Sequence, residues 1–157
     1  IAFYHQANRF FTAVVWGLFV FSIILASWYD SWSAAFIIGL PSALIPTLLA
    51  NTQPTSAATR IAFGISLMVF SALHIQQAHG MIEIHFGIFV GLAMLLYFRD
   101  WRPILAAAVT IALHHLLFSY LQQSNSNIYV FENRNNFTIV ISKQEYLSTS
   151  SNNLLHI

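Results

Sequence analysis

Seven histidines in a chain of 157 residues are the first chemical signal, and five of them fall in one stretch: His74, His79, His85, His114 and His115. Imidazole is the commonest metal ligand and an axial ligand of haem iron. The chain has no cysteine, so thiolate sites for zinc, iron–sulfur clusters or blue copper are excluded. Any bound metal must be held by His, Met, carboxylate or backbone. The spacing matches no compact motif such as HExxH. No nucleophile–base pair, Gly-rich phosphate loop or paired carboxylates stand out, so nothing points to hydrolysis or phosphoryl transfer; the expectation is a non-enzyme, with a redox carrier or oxygenase as the alternative.

These histidines sit in an unusually apolar chain. It is 57% hydrophobic, 15% aromatic and 7% charged, with a formal net charge of +1. Soluble domains carry about 25% charged residues, and disorder needs low hydrophobicity. The scattered basic residues form no patch for nucleic acid. An integral membrane protein remains, with the lipid bilayer as its first partner.

Crossing the hydrocarbon takes about 20 apolar residues in a helix. Five stretches qualify: about Phe10–Trp28, Ala34–Ala50, Ile61–Ala78, Met81–Phe98 and Pro103–Leu121. Pro41 and Pro46 should bend the second. The expected fold is therefore all-α, a polytopic membrane bundle of about five transmembrane helices over residues 1–122. A polar tail, 123–157, follows it on the extracytoplasmic side. In the tail, Ile128–Phe131 and Phe137–Ile141 are β-prone and flank Glu132–Asn136. They suit a β-hairpin, or the second begins a sixth span broken by Lys143 and Glu145.

Arg9, Arg60, Arg99 and Arg102 fall on one side of such a bundle, and Asp30 and Glu83 on the other. The positive-inside rule places the N-terminus in the cytoplasm. In that frame the third, fourth and fifth helices bring His74, His85 and His114 to roughly 6–11 Å below their outer ends. Intramembrane ionisable residues are rare and face the bundle interior. His74, His85 and His114 are accordingly the leading ligand candidates, with His79 and His115 as alternates. His114 and His115 diverge by about 100° on a helix, so one is a ligand and the other a supporting residue. Gln76, Gln77 and Glu83 are placed to orient imidazoles. The expected cofactor is haem or a transition metal ion, copper or iron; a polar histidine network is the plain alternative. Gly87 and Gly91 form a GxxxG pair suited to close helix packing.

The stretch SALHIQQAHGMIEIHFGIFVGLAMLLYFRDWRPILAAAVTIALHHLLFSYLQ resembles the N-terminal membrane region of a group of bacterial methyl-accepting chemotaxis proteins. Similar regions precede histidine kinase and diguanylate cyclase outputs. The blocks HGMIEIHFGIFV, RDWRPI and ALHHLLF carry the likeness, with WYDSW and GLPSALIPTLLA fitting the same pattern, over about residues 8–122. The resemblance implies a sensory input module in the bacterial inner membrane, and the matching histidines are the five named above. In such a receptor a further span and a cytoplasmic signalling domain would follow, whereas here IYVFENRNNFTIVISKQEYL is polar and interrupted. The expectation is thus either a fragment of a longer receptor or a stand-alone accessory subunit, which would associate with other membrane subunits or with copies of itself.

Overall fold

The computed structural model describes residues 2–123, and these are helical throughout apart from short connections, with no strand among them. Five helices follow one another: α1 (Ala2–Tyr29), α2 (Trp32–Thr52), α3 (Ala57–Gln77), α4 (Ile82–Phe98) and α5 (Trp101–Gln123). The expected hairpin or sixth span falls on residues 124–157 and lies outside the described residues.

Four helices, α1, α2, α3 and α5, are long and apolar enough to cross a membrane by length and composition. The fourth expected span, α4, is apolar but shorter, and its last turn tightens into a 3-10 helix at Leu96–Phe98. Arg99 then takes a left-handed φ of 53° and reverses the chain into α5.

The bundle is organised around α3. Two thirds of its most apolar window is buried, against about a quarter for α1 and a tenth for α5. The sequence explains the difference. Gly64, Ser66, Ser71 and Ala72 keep parts of its surface small, while Phe63, Leu67, Met68 and Phe70 fill the space between helices. Phe11 of α1 stacks on Phe98 with ring centroids 4.3 Å apart, and Phe63 of α3 lies 5.7 Å from Phe11. Long apolar side chains on the other helices point outward, among them Phe86, Phe89, Leu113, Leu116 and Leu117. The exterior is therefore as apolar as the core, which is built of large apolar side chains and also admits a few serines and a histidine.

Two proline effects shape α2. Residues Ala35–Gly39 form a π-helical turn just before Pro41. Pro46 lacks the N–H that would bond the carbonyl of Ser42, four residues back. The Ser66 hydroxyl of α3 donates to that carbonyl instead. A neighbouring helix thus satisfies the backbone group that the proline frees.

Glycines mark the closest approaches. A Cβ at Gly64 would sit 2.5 Å from the Pro103 carbonyl oxygen, so α3 and α5 touch backbone to side-chain position there. Gly91 faces Met68 of α3, while a Cβ at Gly87 would meet nothing within 4 Å. Only one member of the GxxxG pair therefore lies at a helix contact.

The end of the bundle that carries Arg60 is closed by an ion pair. Arg60 Nε donates to Asp100 Oδ2 at 2.9 Å, and its Nη1 donates to the Thr55 carbonyl at 2.9 Å. The guanidinium also lies 4.7 Å from the centroid of the Tyr4 ring. Asp100 Oδ1 accepts from the Arg102 backbone N–H, which caps the first turn of α5. Partial desolvation pushes the Asp100 carboxyl upward, but the Arg102 N–H and the charges of Arg60 and Arg102 outweigh it and hold its pKa below the ordinary carboxylate value. The stabilisation is therefore complete above the ordinary carboxylate value and is lost as pH falls through the depressed folded value. Thermal melts in detergent should show the difference between the native chain and Asp100→Asn shrinking as the pH is lowered from about 6 to about 2. A difference that stays constant over that range contradicts this role.

Candidate functional site

The five histidines divide between two places. His74 is on the buried face of α3, 5% exposed, and it faces α1. Its Nε2 lies 2.8 Å from Ser22 Oγ and 3.2 Å from the Leu18 carbonyl. The rings of Phe21 and Phe70 border it, with centroids at 4.9 and 5.9 Å. One turn on, Gln77 Nε2 donates to the Ser22 carbonyl at 3.1 Å and to Ser31 Oγ at 2.9 Å. Together these groups bond α1 to α3 inside an otherwise apolar contact. In this arrangement His74 Nε2 is committed to α1.

His79 lies beyond the end of α3. It takes a left-handed φ of 54°, Gly80 follows at 81°, and this pair turns the chain into α4. The Gly80 N–H reaches back to the Ile75 carbonyl at 2.8 Å, closing the helix end. The His79 ring is exposed and packs edge-on to Tyr29 at 5.1 Å.

The other three histidines meet between α4 and α5. His85 stands in the first turn of α4, and its ring centroid is 5.8 Å from that of His115. His115 is in turn 5.5 Å from His114, whose ring also lies 4.4 Å from Phe118. All three are half-buried. His85 Nδ1 is 3.1 Å from the Met81 carbonyl, and His115 Nδ1 is 2.9 Å from the Ile111 carbonyl. A carbonyl can only accept, so both Nδ1 atoms carry the proton. Each neutral ring therefore holds its lone pair on Nε2, one of the two nitrogens through which an imidazole binds a metal. His114 Nδ1 is buried and has no hydrogen-bond partner among the described residues.

The chain matches no family model, no curated protein and no solved structure. Function has to be read from this geometry.

Of the leading candidates, His85 and His114 come together, and His74 is set apart on the α1 side. His115, read from sequence as an alternate, is the residue that links the cluster. Position along a helix follows from residue number, but the neighbour that a side chain meets across the bundle does not. The sequence reading also missed Ser22 and Ser31, which claim His74 and Gln77; a serine inside the apolar run of α1 was the available signal. Glu83 is exposed in the first turn of α4, and Gln77 is used by Ser22 and Ser31. Among the described residues, no three His, Asp or Glu side chains already stand at separations that would hold a metal ion. A ligand at His85, His114 and His115 must draw the rings inward by rotation about their side-chain torsions.

Proposed function

We propose that this chain is a membrane-embedded sensory or ligand-binding module whose site is the cluster of His85, His114 and His115. In this reading the helices span the bacterial inner membrane with the N-terminus in the cytoplasm. α4 then spans as well, thinning the bilayer locally to match its length. The ligand is a transition metal ion, copper or iron, or the iron of a haem. The observation that carries the reading is the meeting of three imidazoles from two helices, two of them held in the Nε2-acceptor tautomer. Imidazoles on separate helices suit a sensor, because drawing them onto one centre changes the packing of α4 against α5. The likeness to chemotaxis receptor input regions supports the same class.

His74 has a different part in this reading: it is a helix–helix hydrogen-bonding residue, and its bond to Ser22 stabilises by about 0.6 kcal/mol. That separates the histidines experimentally. Titration of the detergent-purified chain with copper or iron should give saturable binding that weakens by at least about tenfold in His85→Ala and in His115→Ala. His74→Ala should bind as the native chain does. Uptake that survives the removal of His85, His114 and His115 together contradicts the assignment.

A second reading is favoured by the outer face of α5, where Leu105, Val109, Leu113, Leu116 and Tyr120 are all exposed. An accessory subunit would use that face against partner helices. Stable co-purification of a membrane partner, together with a histidine cluster that takes up nothing, is the outcome that selects it.

A further inference from the structure

At the end of the bundle opposite His85, His114 and His115, α1 and the last turns of α4 border an open groove of about 550 Å³. Gln6, Phe10, Ala93, Met94 and Tyr97 line it. Its volume is in the range of small-molecule sites, about 300–1,000 Å³. The walls are mostly aliphatic and aromatic, and they open on the outer surface of the bundle rather than into the core. Tyr97 is fixed by Phe3 at 5.5 Å and Phe10 at 5.8 Å. The guanidinium of Arg99 lies 5.6 Å from the Phe3 ring, which sets a cation beside the groove. Arg9 precedes the groove residue Phe10 and is exposed, as is Arg102 at the start of α5. Among the described residues Arg9 and Arg99 form no ion pair, while Arg102 shares the field of Asp100 with Arg60.

An apolar groove bordered by cations that form no ion pair is complementary to an amphiphile with an anionic head. We infer that this groove holds an acyl chain of an anionic phospholipid, whose phosphate is bound by Arg99 and Arg9. Arginine suits this role, because its planar donors pair with phosphate oxygens two at a time. In a membrane the site lies at headgroup level, where clustered basic residues beside membrane helices attract anionic lipid. The inference rests on the membrane-spanning reading, but not on the histidine cluster.

The test uses the full chain in detergent. Native mass spectrometry would count the lipid retained after exposure to phosphatidylglycerol or to phosphatidylcholine of the same acyl chains. The native chain should keep one phosphatidylglycerol in preference to phosphatidylcholine. In the Arg9→Gln/Arg99→Gln double variant that preference should fall by at least about tenfold. Met94→Trp fills the groove and should release the lipid with every arginine in place; helix content by circular dichroism verifies that each variant is folded. Equal retention of the two lipids overturns the site, and so does unchanged phosphatidylglycerol binding in Met94→Trp. A lipid-free dimer that Met94→Trp dissociates also overturns it, by making the groove a contact between two copies. Membranes washed with alkaline carbonate separate the two levels of the claim. A chain that washes off contradicts the membrane reading itself, while one that stays but shows no lipid preference contradicts only the groove.

Discussion

Arg60→Ala should cost about 3–5 kcal/mol of stability, the largest loss expected from any single substitution in the bundle. Arg60 is 8% exposed and is held by three contacts at once: the Asp100 carboxylate, the Thr55 carbonyl and the Tyr4 ring. Taking a guanidinium out of water is costly, and these contacts offset that cost only as a set. When the side chain is removed, Asp100 is left half-buried with a single N–H donor, and the Thr55 carbonyl loses its partner. The contact also joins the start of α3 to the turn between α4 and α5, so its loss loosens three helices. Arg60→Lys should recover only part of the loss, because one ammonium cannot reproduce the divergent Nε and Nη1 bonds. In a double-mutant cycle, Arg60→Ala and Asp100→Ala should be clearly less than additive. A melting temperature in detergent that hardly moves in Arg60→Ala would show that the pair contributes little.

The second large effect should come from one added methyl group. Gly64→Ala places a Cβ 2.5 Å from the Pro103 carbonyl oxygen and 3.2 Å from its carbonyl carbon. Both are backbone atoms, and neither can swing aside as a side chain can. The helices must separate, which costs about 1–3 kcal/mol in a packed core. Gly91→Ala is the internal control. Its nearest neighbour is the terminal methyl of Met68, at 2.8 Å, and a methionine side chain can rotate away. Gly87→Ala meets open space and should be close to neutral. The expected order of damage is Gly64, then Gly91, then Gly87, read from thermal melts of the three variants. Equal effects at Gly64 and Gly87 would contradict the α3–α5 contact. Because α5 carries His114 and His115, Gly64→Ala should also weaken ligand uptake at the histidine cluster.

These cases show what can be read from residue order. The long apolar helices were legible because a run such as that in α1 contains too few polar groups to be anything else; that α4 falls short of the others was not. Asp100 could be assigned to a charged turn from its neighbours Arg99 and Arg102. That it pairs with Arg60 could not, since the contact joins residues 40 positions apart. The GxxxG spacing pointed to Gly87 and Gly91, whereas the tightest approach is at Gly64, a glycine with no partner in any motif. Helical period gives the face a residue shares with its neighbours on the same helix, but not which helix that face meets. The same gap separates the expected histidine set from the observed one. His74, His85 and His114 were expected at comparable depth, yet His74 turns toward Ser22 on α1, and His115 stands beside His85.

The central claim is that His85, His114 and His115 bind a ligand together. An absorption spectrum of the detergent-purified chain tests it most directly, with iron and copper quantified on the same sample. The account predicts a Soret band or stoichiometric metal, lost in His85→Ala and His115→Ala and retained in His74→Ala. A colourless, metal-free chain that also fails to take up added metal or haem would contradict it, and would leave the three imidazoles as a polar contact between α4 and α5.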